Sequence, residues 1–359
     1  MGLAKSTGLT VMFNHAGFAK PTGLTCAQLY KNKQTINMNN NKKTVLVTGA
    51  AGFIGHKVCE KLEEQGDLVI GLDNLNDYYD VRLKEYRLSL LKKRNNFKFY
   101  EADIEKMEQL RVLFENFPFN VVYNLAARAG VRYSMIDPWV YLSTNVEGTL
   151  NLLECAKDYD VKKFILASTS SLYAGLPMPF TEDLPVNTPI SPYAASKKAA
   201  EAYAYTYHKQ YGIDVSVLRY FTVFGPMGRP DMAPFRFVKW VLEGKPITLY
   251  GDGNRARDFT YIDDVAVGTL LAEKPLGYEI INLGGGNEPV TMNLFIKWIE
   301  ELTGRKATIN YEPAHSADME YTMAGIEKAK KLLNWKPKTS TYEGLEQIVK
   351  KPETLRFNI

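Results

Sequence analysis

The residues best suited to chemistry are a tyrosine and a lysine four positions apart at the start of an alanine-rich segment. SPYAASKKAAEAYAYTYHKQYG (191–212) predicts a helix, and Tyr193 and Lys197 would share one face of it. A tyrosine with a pKa of about 10 is a poor base at neutral pH, and a nearby ammonium favours its phenolate. The same spacing recurs without a helix start at Tyr159/Lys163 and Tyr205/Lys209. We therefore expect Tyr193 to exchange a substrate proton with Lys197 beside it.

A row of four hydroxyl residues follows the apolar run KFILA in the stretch ASTSSLYAG (167–175). A hydroxyl at such a strand end can share the proton that a neighbouring base exchanges. The sequence has no acidic residue between Ala167 and Phe180. This row therefore predicts an active-site edge that lacks its own carboxylate.

The stretch TGAAGFIG indicates a dinucleotide site, because its glycines (Gly49, Gly52 and Gly55) follow a strand and open a helix. Such glycines let the backbone approach a diphosphate at the helix N-terminus. The second strand ends at Asp73, whose carboxylate can bind both ribose hydroxyls of NAD and would repel a 2′-phosphate. Asn74 follows it rather than Arg or Lys, which favours NAD over NADP.

Strands and helices alternate from Lys43 to Gly225, with strand candidates at 44–50, 67–73, 97–104, 120–127, 163–169 and 214–221. Apolar strands joined by helical crossovers indicate an α/β fold, a Rossmann-type doubly wound parallel sheet. Loops lengthen afterwards, which predicts a smaller C-terminal substrate-binding lobe over the sheet edge. We expect a flexible N-terminal extension (1–42), an NAD-binding domain (43–225) and the smaller lobe (226–359), with an approximate boundary that the chain can cross.

Composition excludes several classes of function. The net charge of +4 is too small to favour nucleic acid, and no apolar run is long enough to span a membrane. The three cysteines (Cys26, Cys59 and Cys155) are far apart, which fits a reducing, cytoplasmic location and provides no metal spacing. The first 40 residues contain no acid, and we interpret them as an extension or as sequence upstream of a start at Met38, with a weak targeting leader as the alternative.

Taken in order, the motifs resemble the extended short-chain dehydrogenase/reductase family of nucleotide-sugar epimerases and dehydratases. They include DI (103–104), NLAA (124–127), RYFTVFGP (219–226) and RDFTYIDDV (257–265). The resemblance implies Thr169, Tyr193 and Lys197 as catalytic residues, Arg257 as a ligand of the UDP phosphates, and a homodimer. It also implies an NAD site, formed by Gly49, Gly52, Phe53, Ile54, Gly55, Asp73, Asn74, Asp103, Ile104, Leu125, Ala126, Ala127, Asn145, Tyr193 and Lys197.

Three stretches (71–88, 129–138 and 221–233) are similar to the branch of this family that epimerises UDP-glucuronate at C4. That branch removes hydride from C4 and returns it to the opposite face of a 4-keto sugar. The resemblance implies that neutral hydroxyls and a cation hold the sugar carboxylate. The expected substrate-binding residues are Arg132, Ser168, Ser170, Thr222, Arg229, Arg257 and Asp318.

Three alternatives stay open at this point. One is a 4-epimerase for UDP-glucose/galactose or the N-acetyl sugars, in which Asn usually stands at the position of Thr222. Another is a UDP-glucuronate decarboxylase, although Glu stands in those enzymes where this chain has Ser171. A non-catalytic NAD-binding subunit is the third, because a fold does not determine a function.

Overall fold

The computed structural model describes residues 42–313 and 319–358 of the 359-residue chain. The predicted extension therefore lies almost wholly outside the described residues, as does Asp318. The strands are β1 (Thr44–Thr48), β2 (Leu68–Asp73), β3 (Phe97–Glu101), β4 (Val121–Asn124), β5 (Lys163–Thr169), β6 (Asp214–Tyr220), β7 (Thr222–Phe224), β8 (Ile247–Tyr250), β9 (Ala256–Arg257), β10 (Phe259–Tyr261), β11 (Tyr278–Leu283), β12 (Val290–Thr291) and β13 (Ile309–Glu312).

The helices alternate with these strands through the first two thirds of the described chain. They are α1 (Phe53–Glu64), α2 (Val81–Leu91), α3 (Met107–Asn116), α4 (Val131–Ser134), α5 (Trp139–Tyr141), α6 (Gly148–Asp158), α7 (Pro192–Tyr211), α8 (Ala233–Glu243), α9 (Ile262–Leu271), α10 (Met292–Thr303), α11 (Glu327–Leu333) and α12 (Thr341–Val349). A π-helix (Leu142–Glu147) connects α5 to α6, and a 3-10 helix (Ser170–Tyr173) follows β5.

Seven strands form one parallel sheet in the order β11-β6-β5-β4-β1-β2-β3. The strands β1 and β5 are buried along their whole length, because helices cover both faces of the sheet and leave no polar side. Separate apolar clusters pack on the two faces. The predicted α/β fold with a doubly wound parallel sheet is confirmed.

The helix α7 begins and ends as its sequence predicts. The side chain of Ser191 caps the N-terminus by accepting a hydrogen bond from the Ala194 amide at 3.2 Å. The helix ends at Gly212, whose φ of 73° lies in the left-handed region that favours glycine. These two ends place Tyr193 in the first turn, beside the carboxyl end of β5.

Three two-stranded pairs (β7 with β10, β8 with β13, and β9 with β12) lie beyond the main sheet. A third apolar cluster, centred on residues such as Phe235 and Phe295, packs these strands against α8, α10 and α12. The chain also returns to the main sheet after residue 225, where β11 pairs with β6. Within the described ranges, no helix is both long enough and apolar enough to cross a membrane.

Candidate active site

A cavity of about 420 Å³ opens at the carboxyl ends of the central strands. This is where ligands bind in open α/β sheets, because the crossover helices diverge there. Most of the residues expected from the sequence line it: Gly49, Gly52, Phe53, Ile54, Gly55, Asp73, Asn74, Asp103, Ile104, Leu125, Ala126, Ala127, Ser168, Thr169, Ser170, Tyr193, Lys197, Thr222, Arg229 and Arg257.

The glycine turn is packed so tightly that side chains would not fit. A Cβ at Gly55 would lie 2.0 Å from the carbonyl oxygen of Gly49. Gly49 has a φ of 68°, and a Cβ there would lie 2.9 Å from the backbone of Ala126. Gly52 caps the N-terminus of α1 without a side-chain hydrogen bond. The first turn of α1 is therefore open to an anionic ligand.

Asp73 lines the cavity beside the glycine turn, at the end of β2 as the sequence predicts. Its carboxylate is held by the backbone amides of Ala51 at 3.1 Å and Leu75 at 2.9 Å. The side chain of Asn74 donates to Asp103 at 2.9 Å, which joins the two residues expected near the adenosine. The carboxylate of Asp73 is thus fixed by main chain, in a position where it can accept hydrogen bonds from ribose hydroxyls.

Two basic residues that the sequence analysis missed also line this region. The amine of Lys84 on α2 donates to Asn76 at 3.1 Å and lies 3.9 Å from the Asp73 carboxylate. Burial lowers the pKa of Lys84, while the charge of Asp73 acts in the opposite direction. Arg128 donates to the same Asn76 side chain at 3.3 Å.

The residues present fit a dinucleotide. The glycine turn forms a cradle that a Cβ would fill, and the buried Nε of Arg128 has no hydrogen-bond partner among the described residues. An orphaned buried donor is costly unless a ligand accepts from it. Together with Asp73, these features would hold the diphosphate and the ribose of NAD.

Asn145 does not line the cavity but positions residues that do. It is buried in the π-helix, where its amide pairs with both the backbone N–H (2.8 Å) and the carbonyl (2.9 Å) of Arg128. Its amide nitrogen also donates to Ser196 at 2.9 Å, and Ser196 donates to the carbonyl of Tyr193 at 2.8 Å. Asn145 therefore connects the loop after β4 to the first turn of α7.

Tyr193, of the predicted catalytic pair, interacts with the predicted hydroxyl of Thr169. Burial raises the pKa of Tyr193 above 10, whereas a hydrogen bond with Thr169 and the charge of Arg229 act in the opposite direction. The amine of Lys197 donates to the carbonyl of Ala167 at 2.9 Å. Burial lowers the pKa of Lys197 to about 8, and the charge of Glu201 opposes this shift. The group can therefore carry its charge at neutral pH.

The hydroxyl row has a carboxylate behind it that comes from another element. The hydroxyl of Ser168 donates to Glu201 at 2.6 Å, so Ser168 lines the cavity with its hydrogen committed to that carboxylate. Arg219 on β6 donates to the same carboxylate through Nε at 2.9 Å and Nη2 at 2.8 Å. The hydroxyl row thus has no carboxylate of its own, and the one behind it, Glu201 of α7, is not among the described residues that line the cavity.

The cavity lining also contains Thr222, Ser170 and Arg229, which the sequence predicts to bind the sugar and which together are called the sugar end below. The guanidinium of Arg229 donates to Asp231 through Nε at 3.0 Å and Nη2 at 2.5 Å, and to the carbonyl of Ala129 at 3.3 Å. Among the described residues these bonds leave Nη1 for a further acceptor. The ring of Tyr78, which the sequence analysis also missed, lies beneath this guanidinium at 5.5 Å from its carbon.

Of the two other expected arginines, one lines the cavity and one does not. Arg257 in β9 lines it and donates to the carbonyls of Ala256 at 2.9 Å and Glu320 at 3.2 Å. Arg132 in α4 is not among the described residues that line the cavity. Its guanidinium packs over the ring of Tyr250 in β8, 4.2 Å from the ring centroid.

The comparisons with known proteins agree with this geometry. Residues 45–284 match the model of the NAD dependent epimerase/dehydratase family. The chain is 59% identical to a UDP-glucuronate 4-epimerase of Thermodesulfobacterium geofontis over 304 residues, which covers 85% of this chain and 94% of the relative.

Two solved structures are also similar. One is the UDP-glucuronic acid 4-epimerase of Bacillus cereus in complex with UDP-glucuronic acid and NAD, with a TM-score of 0.81, 38% identity, and coverage of 87% of this chain and 99% of that chain. The other is the UDP-glucose 4-epimerase of Thermotoga maritima with UDP-glucose, with a TM-score of 0.78, 36% identity, and coverage of 86% and 97%. The chain belongs to the NAD dependent epimerase/dehydratase family.

Proposed function

We propose that this protein is a UDP-glucuronate 4-epimerase, which interconverts UDP-glucuronate and UDP-galacturonate. The observation that carries the proposal is the composition of the sugar end, where two neutral hydroxyls (Ser170 and Thr222) and the cation Arg229 share a cavity with Tyr193. A neutral sugar needs no cation there, whereas a sugar acid does. The similarity to the Thermodesulfobacterium geofontis epimerase supports the same substrate.

The reaction needs a group that removes the proton of the C4 hydroxyl and later returns it. Tyr193 takes this proton on its phenolic oxygen, and Thr169, whose hydroxyl opposes the rise in the pKa of Tyr193, would share it. Lys197, one helical turn after Tyr193, would supply positive charge that favours the phenolate. When bound, NAD would accept the hydride of C4 and return it to the opposite face of the 4-keto sugar once that sugar has rotated in the cavity. Tyr193 would then give its proton back to the C4 oxygen, which forms the new hydroxyl.

UDP-glucuronate oxidised at C4 is a β-keto acid, which loses CO2 when the bond to its carboxylate aligns with the carbonyl π system. Nη1 of Arg229, together with the hydroxyls of Ser170 and Thr222, would hold the carboxylate out of that alignment. The carboxylate of Glu201 cannot promote elimination from its position, because Arg219 neutralises it and Ser168 lies between it and the cavity. These features favour epimerisation over decarboxylation or dehydration.

The remaining ligand assignments follow the same division of the cavity. The glycine turn, Asp73 and Arg128 hold NAD, with Asn145 in a positioning role. Arg257 binds the UDP phosphates from β9. We assign residues 43–225 chiefly to the cofactor and the later residues chiefly to the nucleotide sugar.

We also infer a cytoplasmic homodimer. Large apolar and aromatic side chains are exposed on neighbouring elements α5, the π-helix and α7: Trp139, Leu142, Tyr203 and Tyr211. A second copy would cover them, and analytical ultracentrifugation should then give twice the chain mass. The cysteines on the described chain, Cys59 and Cys155, are buried and unpaired, which suits a reducing compartment.

A substrate panel tests the assignment. We expect the kcat/KM of the purified protein for UDP-glucuronate to exceed that for UDP-glucose and UDP-N-acetylglucosamine by about 100-fold, because a neutral sugar offers no charged acceptor to Nη1 of Arg229. A preference for UDP-glucose would instead support the neutral-sugar epimerase. The absence of turnover with every UDP-sugar would support a non-catalytic subunit.

A further inference from the structure

Arg87 on α2 joins two loops that are far apart in the sequence. The side chain is fully buried, although it lies outside the cavity lining. Its Nη1 donates to the carbonyl of Ala51 at 3.0 Å, and its Nη2 donates to the carbonyl of Met227 at 2.6 Å. One planar guanidinium therefore holds both segments in a fixed relative position.

Each of these carbonyls belongs to a ligand-binding loop. Ala51 directly precedes Gly52, the N-cap of α1, where the diphosphate of NAD would bind. Met227 lies two residues before Arg229, the cation at the sugar end of the cavity. A displacement of either loop would therefore change the hydrogen bonds of Arg87 to the other loop.

The substrate-side loop is strained at the residue that Arg87 holds. Met227 has a φ of 59°, a left-handed conformation that costs a side-chain-bearing residue free energy. Its carbonyl accepts from Nη2 and also from Nε of Arg87, the latter at 3.2 Å. These two hydrogen bonds offset the strain and fix the direction in which the chain continues to Arg229.

The charge of Arg87 has no carboxylate partner in the described parts of the chain. Its remaining hydrogen bonds also end on neutral oxygens, the hydroxyl of Tyr79 at 2.7 Å and the carbonyl of Gly228 at 3.4 Å. The neighbouring His56 adds no charge, because burial and then Arg87 itself lower its pKa to about 3. A buried cation without an anion is unfavourable, and a diphosphate at the adjacent turn would compensate it.

We propose that Arg87 is a positioning residue that couples the two ligand sites, so that a UDP-sugar at the Met227–Arg229 loop tightens the binding of NAD at the glycine turn. Linkage makes this coupling reciprocal, and bound NAD pre-orders the loop that receives the sugar. The proposal rests on the proposed function only for the choice of the sugar used as a probe.

The test measures how fast the holoenzyme exchanges its NAD for isotope-labelled NAD in solution, with and without saturating UDP-glucuronate. All variants carry Tyr193→Phe, so that the sugar binds without being oxidised. We expect the sugar to slow the exchange by about tenfold when Arg87 is present, because affinity differences reside mainly in dissociation rates.

Two substitutions distinguish the effect of the positive charge of Arg87 from the effect of its contacts with both loops. In Arg87→Met we expect faster exchange of NAD. The ratio of the exchange rate without UDP-glucuronate to the rate with it should be close to one. In Arg87→Lys the charge remains and basal NAD retention recovers in part, but the ratio stays close to one, because an ammonium cannot span both loops. The control is Leu91→Ala, which opens a cavity one turn later on α2 and should lower stability while the tenfold ratio is retained.

A tenfold ratio in both Arg87 variants would overturn the proposal, as would an equal loss in Leu91→Ala. A ratio of one in the Tyr193→Phe parent with UDP-glucuronate, UDP-glucose and UDP-N-acetylglucosamine would also overturn it. Turnover of UDP-glucuronate by the wild-type protein, measured in parallel, reports separately on the proposed function.

Discussion

The carboxylate of Glu201 accepts a hydrogen bond of 2.6 Å from the hydroxyl of Ser168, 33 residues away in the sequence. Both residues are buried, and Arg219 binds the same carboxylate through two nitrogens. Glu201 also lies one helical turn after Lys197 and raises its pKa against the effect of burial. One ion pair thus fixes the hydroxyl of Ser168 and supports the charge of Lys197.

This buried ion pair should behave as a unit in stability measurements. Glu201→Gln or Arg219→Met alone leaves a buried charge without its partner, and each should lower the free energy of unfolding by about 3–5 kcal/mol. The double variant should lose much less free energy of unfolding than the sum of the losses in the two single variants. Urea denaturation of all four proteins provides the double-mutant cycle. Strictly additive losses would show that the pair is not coupled.

The pH dependence of activity should report on Lys197. Its pKa is lowered to about 8, so its charge is lost as the pH rises through that value, and kcat/KM should fall on the alkaline side. Glu201 raises this pKa, so Glu201→Gln should move the alkaline limb to lower pH. The control Leu218→Ala weakens the adjacent core of β6 and should leave the limb in place. An unmoved limb in Glu201→Gln would refute the electrostatic role.

The proton carrier is tested by Tyr193→Phe, which keeps the ring and removes the hydroxyl. We expect kcat to fall by about 10²- to 10⁴-fold while bound NAD and KM change little, because the hydroxyl acts mainly in the proton-transfer step. Tyr205→Phe, at another tyrosine with a lysine four residues later, is the matched control and should retain full activity. Comparable rates for the two variants would remove Tyr193 from the mechanism.

The carboxylate specificity of the cavity is tested by Arg229→Met. Loss of a charge-assisted hydrogen bond should reduce kcat/KM for UDP-glucuronate by about 10- to 100-fold. Arg229 also lowers the pKa of Tyr193, which affects every substrate equally. The ratio of activities on UDP-glucuronate and UDP-glucose isolates the contact with the carboxylate, and an unchanged ratio would contradict it.

Short sequence motifs predict those parts of the fold that depend on residues close together in the chain. The glycine turn and the helix behind Ser191 follow from backbone sterics and capping, and the parallel sheet follows from the buried strands. The placement of Glu201 could have been anticipated as well, because it lies four residues after Lys197 and therefore on the same helix face.

Other contacts depend on how loops meet across the sheet, and no periodicity encodes them. Lys84 reaches Asp73 from a different element, and Arg87 reaches Met227 across 140 residues of sequence. Arg132 is expected at the sugar from its motif, but the motif does not indicate that its guanidinium packs over an aromatic ring of β8. Asn145 was expected in the lining, whereas the π-helix turns it toward Arg128 and Ser196.

We propose that this cavity oxidises and reduces a sugar acid at C4 without losing CO2 or water. The most direct measurement is a time course of the protein with UDP-glucuronate, followed by proton NMR of the nucleotide sugars. We predict that UDP-galacturonate appears until the two epimers reach a constant ratio and that no pentose nucleotide forms. Release of a UDP-pentose, or the absence of UDP-galacturonate, would contradict the account.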